Sequence, residues 1–219
     1  MKLTSTVVLL AALVASASAH IAMMRPTPRG GYGTKDYNGR VHVYIGFKGQ
    51  KYPCGGYPRG PVTKMKAGEV IPVLFWTPGI TDTKKIPTKK LKPARHGGGF
   101  CEFSLSRDGG KSFQVIGSYS YSCPDVYYSW PVRIPRNIPD CKERGKCLFA
   151  WSWTAHLVAQ FYHNCADVEI SGVKKGKWPT KSIQLYNFKP HPRKTFPGDG
   201  KSHDKGSGPN QDEMKKNLK

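Results

Sequence analysis

The sequence predicts an all-β protein, an immunoglobulin- or fibronectin-like antiparallel β-sandwich with long loops. Short runs rich in β-branched and aromatic residues occur at 69–76, 100–106, 112–119, 129–134, 147–153 and 166–170. Turn signals such as Asp108-Gly109-Gly110 separate these runs, as expected of short strands joined by tight connections. No long segment shows the 3.6-residue apolar period of a helix. Six or seven short strands without helices favour a sandwich.

The first nineteen residues have the features of a secretory signal. Lys2 precedes an apolar run over 7–14, and Ala17-x-Ala19 is a small-residue cleavage site. Cleavage after Ala19 would give His20 a free α-amine. Because no other apolar stretch approaches membrane-spanning length, we expect a secreted protein that does not associate with a membrane.

We expect the sandwich domain to span residues 20–172, with loops over 21–60 where Gly, Pro and Tyr are frequent. Trp151 and Trp153 are two positions apart, so they would share one sheet face and are predicted to lie in the core. Residues 173–219 are rich in Lys, Pro and Gly without periodicity, which predicts a basic extension that is partly disordered. Residues 183–188 of this extension are predicted to dock on the sandwich as an irregular strap.

The chain is strongly basic, with 35 Lys and Arg residues against 14 Asp and Glu residues and a formal net charge of +21. Such a charge favours polyanionic partners, although a solvated basic surface with a basic tail would give the same composition. Residues 174–219 hold twelve basic and four acidic residues, so they supply only +8. Another basic cluster is the loop 81–95, which leads directly into His96 and contains Lys84, Lys85, Lys89, Lys90, Lys92 and Arg95.

Six cysteines in an exported chain predict three disulfides, for which fifteen connectivities exist. They are Cys54, Cys101, Cys123, Cys141, Cys147 and Cys165. No two of them have the C-x-x-C spacing, which disfavours a zinc ribbon or a thioredoxin-like site.

Two segments carry candidates for chemistry. His96 is followed by three glycines, which permit positive φ angles and leave a surface without side chains around the imidazole. In a strand over 159–166, Gln160 and Tyr162 would point to one side, and Phe161 and His163 to the other. Taken separately, each motif has a structural alternative, namely an incidental histidine in a hairpin approach and a buried tyrosine beside a disulfide.

Together, His20, His96 and the Gln160/Tyr162 pair resemble the histidine brace of lytic polysaccharide monooxygenases, which are copper enzymes that cut polysaccharides oxidatively. The resemblance covers about residues 20–172 and is most similar to the fungal chitin-active branch. It includes the segments 52–57, 96–106, 108–111, 122–124, 149–153 and 162–168. Gln160 departs from that branch, which usually carries Glu there. The Gln-x-Tyr spacing is similar to the fungal cellulose-active branch instead.

The resemblance implies one copper ion held by His20 and His96, with Tyr162 as an axial contact. Ala94 would crowd the other axial side, and Gln160 would orient the oxidant, so Gln160 and Tyr162 are the expected catalytic residues. Imidazole nitrogens favour copper over hard, oxygen-preferring cations. An α-amine ligand must lose its proton, so copper affinity should fall with acidity.

Zinc is the main alternative metal, and a structural zinc site would need a fourth protein ligand. Asp125, Asp167, His156 and His163 can each be proposed for that role. His163 is the poorest of these candidates, because it is expected to face away from Tyr162. His156 fits better as a proton donor close to the metal ligands.

By the same resemblance, the expected disulfides are Cys54–Cys165 and Cys101–Cys123, and the proximity of Cys141 and Cys147 suggests the third. The first pair would attach the N-terminal segment to the strand that bears Tyr162.

The leading hypothesis is therefore a secreted, copper-dependent monooxygenase that uses hydrogen peroxide or oxygen and an external reductant. The expected partner is a polysaccharide surface, with chitin as first choice and cellulose or an anionic glycan such as pectin also open. We expect a monomer that does not bind nucleic acid, and no paired carboxylates are required, in contrast to a glycoside hydrolase. The alternatives are a non-catalytic copper-binding protein with the same brace and a basic module that binds wall polysaccharide.

Overall fold

The computed structural model describes residues 21–219, so the predicted signal segment 1–19 and His20 lie outside the described residues. The described part contains eight strands and one short helix. They are β1 (Ala22–Arg25), β2 (Val62–Lys66), β3 (Val70–Trp76), β4 (Gly99–Ser106), β5 (Gln114–Tyr119), β6 (Trp130–Arg133), β7 (Leu148–Ala155), β8 (Phe161–Ser171) and α1 (Gln211–Asn217). The all-β prediction is confirmed. Over the described range, no helix is both long and apolar enough to cross a bilayer.

The strands form two sheets, one with the order β1-β3-β6 and one with the order β2-β8-β7-β4-β5. All neighbouring strands are antiparallel except β2 and β8, which run parallel with Val62 opposite Asp167. The parallel pair is a departure from the antiparallel sandwich that the sequence predicts. β1 and β2 are also absent from the predicted strands, because each is short and lies in a region dominated by loop residues.

The core lies between the sheets and contains several large aromatic side chains. Phe75 of the smaller sheet contacts Trp151 of the larger sheet, with ring centroids 4.8 Å apart. Trp151 and Trp153 stack on one face of β7 at 6.1 Å, and both are completely buried. This confirms their prediction as core residues. Burial of such large side chains is the dominant favourable term for a sandwich of this size.

The outer face of the larger sheet is also covered. Phe113, Leu148 and Ala150 form a second buried cluster with the Cys54–Cys165 disulfide. The strap predicted over 183–188 begins against this cluster with Ile183, whose backbone N–H donates to the Phe113 carbonyl at 3.2 Å. The extension therefore meets the edge of β5 at an isolated bridge between Gln114 and Ser182.

The structure contains three disulfides, and they are the three pairs expected from the resemblance and from the proximity of the last two cysteines. Cys54–Cys165 closes a separation of 111 residues, Cys101–Cys123 one of 22 and Cys141–Cys147 one of 6. The first joins the loop before β2 to the middle of β8, so it restrains the N-terminal loops against the strand that carries Tyr162.

The end of the extension forms α1. The Asn210 side chain accepts a hydrogen bond from the Asp212 N–H at 2.8 Å and caps the first turn. At the other end, the buried Asn217 amide bonds the backbone of Ser118 in β5 through both its oxygen and its nitrogen, at 3.0 and 2.8 Å. The partial disorder expected within residues 173–219 stays a prediction.

Candidate metal centre

His96 begins a left-handed turn that continues through glycines. The φ angles are +48° at His96, +75° at Gly97 and +80° at Gly98, a region that residues with a Cβ rarely adopt. A Cβ on Gly98 would lie 1.7 Å from the Tyr121 carbonyl oxygen. The glycines after the histidine therefore allow the backbone to turn sharply against a neighbouring chain segment.

The turn is held against the end of β7. The Trp153 indole N–H and the His156 backbone N–H both donate to the Gly98 carbonyl, at 3.2 and 3.0 Å. The Leu157 backbone N–H donates to the His96 carbonyl at 2.9 Å. Because these bonds fix the backbone from His96 to Gly98, the His96 imidazole is buried at a defined position.

Two aromatic side chains define the surroundings of the His96 ring. It stacks on Trp153 with centroids 5.8 Å apart and an interplanar angle of 18°. Tyr162 lies 6.5 Å from His96 and stacks on the same indole at 4.5 Å. Trp153 is itself stacked on Trp151. The imidazole and the phenol therefore share one rigid support that extends into the core.

Gln160 and Tyr162 interact directly. The Tyr162 O–H donates to the Gln160 side-chain oxygen at 2.5 Å, as side chains two positions apart near a strand end can do. Tyr162 is buried, whereas Gln160 is partly exposed. Since the phenol proton is used in this bond, Tyr162 has the chemistry of a neutral and therefore weak ligand.

His163 points to the opposite side of β8, as the sequence predicts. Its ring contacts Phe113 and Phe161, with centroids 4.8 and 6.2 Å away, and its Nδ1 accepts a hydrogen bond from the Cys54 N–H at 3.1 Å. Complete burial lowers the pKa of His163 to about 3. It is thus a neutral structural acceptor behind the sheet.

The other residues considered as fourth metal ligands have partners of their own. Asp167 binds the Arg29 guanidinium through both oxygens, at 2.7 and 2.8 Å. Asp125 is buried beside Arg95. His156 lies 2.8 Å from the Phe196 carbonyl, which can only accept, so its Nδ1 carries the hydrogen.

One grouping of ligand-type side chains occurs within residues 21–219, namely Cys54, His163 and Cys165. The disulfide between the two cysteines removes both thiolates. The structure thus supplies no thiolate zinc site in its described part.

The environment of Arg95 differs from the sequence interpretation. We expected Arg95 to belong to the basic surface of the loop 81–95, but its side chain is completely buried. The five lysines of the loop are exposed. A buried guanidinium needs carboxylate and carbonyl partners. Partners of Arg95 lie in the distant extension, so its burial could not be predicted from the loop sequence. Ala94, directly before Arg95, is also buried.

No family model matches the chain. Two curated relatives are fungal. The chain is 37% identical over 126 residues to AA11 family lytic polysaccharide monooxygenase A of Aspergillus fumigatus, which covers 57% of the chain and 50% of that protein. It is 29% identical over 187 residues to AA11 family lytic polysaccharide monooxygenase B of the same species, which covers 76% of the chain and 40% of that protein.

The chain is similar in sequence to fungal lytic polysaccharide monooxygenases. Its relatives lie in a fungal branch, so the resemblance noted in the sequence is confirmed at that level. The chain spans about half the length, or less, of the curated relatives it matches. Among solved structures, the extended catalytic domain of H. jecorina LPMO9A is 14% identical, with a TM-score of 0.36 over 68% of this chain and 71% of that one.

Within residues 21–219, the structure brings together His96, Tyr162 and Gln160 and places His156 beside the His96 turn. His20 lies outside the described residues, so its part in a metal site stays a prediction. Arg95 and its partners were missed, and the only sequence signal was the adjacency of Arg95 to His96.

Proposed function

We propose that this protein is a secreted, copper-dependent lytic polysaccharide monooxygenase. The observation that carries the proposal is the arrangement of His96 and Tyr162 on the common support of Trp153, with the phenol bonded to Gln160. The relationship to fungal lytic polysaccharide monooxygenases supports it. His20 enters from the sequence, because cleavage after Ala19 would expose its α-amine.

The residues present fit copper. His96 offers an imidazole nitrogen on a rigid turn, His20 would add an amine and a second imidazole, and such nitrogen donors favour copper. The neutral phenol of Tyr162 would be a weak contact to the ion, because its proton is already donated to Gln160. When bound by His20 and His96, copper would supply the one-electron chemistry that activates an oxidant toward a C–H bond beside a glycosidic linkage.

The chain's own residues orient and shield this reaction. Trp153 prevents rotation of the His96 ring by stacking on it and by bonding the Gly98 carbonyl. The Gln160 oxygen is used by Tyr162, which directs the amide hydrogens of Gln160 toward other acceptors, including a bound oxidant. Ala94, a small buried residue two positions before His96, would limit the room beside the ion.

Chitin is the first choice of substrate, with cellulose and an anionic glycan such as pectin as further candidates. The five exposed lysines of the loop 81–95 would repel a deacetylated, cationic chitin and attract a uronate-rich chain. If the substrate is anionic, binding should weaken steeply as the salt concentration rises. Salt-insensitive binding to neutral chitin would instead show that these lysines form only a solvated surface.

The test uses protein processed to begin at His20, titrated with Cu(II) and then incubated with chitin, cellulose and pectin in the presence of a reductant. We expect binding of one copper ion and oxidised oligosaccharides from one of the three substrates by mass spectrometry. The variant His20→Ala should lose most of the copper affinity, whereas His191→Ala, which alters a partly exposed histidine of the extension, should retain it.

Each other outcome has a defined meaning. Copper binding without oxidised products on all three substrates would contradict the enzyme and favour a non-catalytic copper-binding protein. Polysaccharide binding that is unchanged in His20→Ala, with no specific copper binding by either protein, would favour a basic wall-binding module.

A further inference from the structure

A part of the C-terminal extension covers the turn that carries His96. We call residues 196–208 the covering segment. Gly198 forms a parallel bridge with Tyr121, and the Gly200 N–H donates to the Gly97 carbonyl at 3.3 Å. The Arg95 backbone N–H donates to the Ser202 carbonyl at 2.7 Å. The covering segment is thus hydrogen-bonded to residues on both sides of His96.

The approach between the two segments leaves no room for a side chain. A Cβ on Gly198 would lie 2.0 Å from the Gly97 carbonyl oxygen and 2.7 Å from the His156 Cβ. Phe196, two residues earlier, accepts the hydrogen bond from the His156 ring and stacks on Phe100 at 4.8 Å. Backbone packing at this distance transmits any shift of the covering segment directly to the turn.

The Arg95 guanidinium is the centre of this contact. It binds both carboxylate oxygens of Asp199, at 2.8 and 3.2 Å, and its Nε lies 3.3 Å from an Asp125 oxygen. Its nitrogens also donate to the carbonyls of Ser122 and Lys201, at 2.7 and 2.6 Å. Arg95 and Asp125 are completely buried, and the Asp199 side chain is nearly so.

A planar guanidinium bound on all sides has one orientation. Since Arg95 directly precedes His96, the direction of its side chain constrains the backbone from which the imidazole projects. Partners that orient a metal-ligating histidine commonly change metal affinity when they are altered. The Arg95–Asp199 pair would act on His96 through the adjoining backbone, and Asp199 belongs to a segment about one hundred residues away from Arg95 in the sequence.

We propose that Arg95 and Asp199 are positioning residues for the metal centre and that the covering segment is part of that centre. This inference rests on the proposed function for the metal centre itself, including the role of His96 as a ligand. The orientation of the His96 turn by the covering segment is a property of the metal-free protein as well.

The first test removes the charge of Asp199 with the isosteric substitution Asp199→Asn. We expect Cu(II) affinity to fall by about 10- to 100-fold and the Cu(II) electron paramagnetic resonance parameters to change. In the metal-free protein, hydrogen exchange at the amides of 96–98 should become faster than in the wild type.

Two matched controls separate positioning from general stability. Asp212→Asn makes the same chemical change in an exposed ion pair of the same extension, and it should leave affinity, spectrum and exchange unchanged. Asn217→Ala removes the bonds that hold α1 to β5. It should lower the unfolding midpoint without changing the spectrum of bound copper.

A second variant keeps the test informative if Asp199→Asn does not fold. Gly198→Ala retains every charge and inserts a methyl group against the Gly97 carbonyl, so it should also accelerate exchange at 96–98 and alter the spectrum.

The inference is overturned if a folded Asp199→Asn or Gly198→Ala protein shows wild-type hydrogen exchange at the amides of 96–98. Where copper binds, the copper affinity and the spectrum of that variant must also equal those of the wild type. Absence of copper binding by the wild type would contradict the proposed function instead, and the exchange measurement would still decide the inference.

Discussion

Acid sensitivity should arise from His163, which the fold keeps neutral. Burial lowers the pKa of His163 from its ordinary value of 6.5 to about 3. Below about pH 6.5 the unfolded chain takes up a proton that the folded chain does not, so stability decreases as the pH falls through this window. For these two pKa values, the loss between about pH 7 and about pH 5 is about 2 kcal/mol.

The perturbation is His163→Gln, which retains a carbonyl oxygen that can accept from the Cys54 N–H. The variant should be less stable than the wild type at neutral pH, because a ring packed against Phe113 and Phe161 is lost. However, it should lose about 2 kcal/mol less than the wild type between about pH 7 and about pH 5. The assay is urea unfolding of the metal-free, disulfide-intact protein, followed by tryptophan fluorescence at several pH values.

The comparison of two proteins removes contributions from other titrating groups. His203→Gln, which alters an exposed histidine, should retain the wild-type pH dependence and serves as the control. If wild type and His163→Gln lose stability in parallel over this window, the buried, neutral state assigned to His163 is wrong.

Two further predictions concern stability. Burial raises the pKa of Glu102 from its ordinary value of 4.5. The folded protein therefore loses stability as the pH rises above that value, because the unfolded chain ionises Glu102 first. Urea unfolding should therefore show Glu102→Gln gaining stability relative to the wild type from about pH 4 to about pH 7; a constant difference would contradict this. Replacing both cysteines of a disulfide by Ser should lower the free energy of unfolding by the loop-closure entropy. The expected loss is about 5 kcal/mol for Cys54 and Cys165, which lie 111 residues apart. It is about 2 kcal/mol for Cys141 and Cys147, which lie 6 apart. Equal losses in unfolding free energy would refute the entropic account.

Strands in which large apolar side chains alternate with small or polar ones were predictable, whereas β1 and β2 lack that alternation and were missed. The alternation around Phe103 and Trp151 determines which face of β4 and β7 enters the core. β2 has no such signal, because Met65 is its only buried residue. Its parallel pairing with β8 depends on how distant segments pack, which local periodicity does not contain.

The candidate site likewise has one contact that the sequence predicts and one that it does not. The two-residue spacing of Gln160 and Tyr162 predicts that they share a side, and the bond between them follows from that spacing. The contact of His96 with Trp153 needs the register of β4 against β7, in which Gly99 is opposite Ala155. Strand register is set by the whole sheet, so this contact could not be derived from either motif alone.

The glycines after His96 have a structural requirement besides any metal-binding role. The sequence suggested that they clear space around the imidazole, but Gly98 faces the Tyr121 carbonyl, and a Cβ on Gly99 would lie 2.3 Å from the Thr154 carbonyl oxygen. Gly97 faces the side chains of His156 and Leu157. The absence of a side chain at each glycine thus allows a different neighbouring segment to pack against the turn. The rigidity of the His96 position follows from this convergence of segments, so the same motif in a chain without these neighbours would not hold its histidine in the same way.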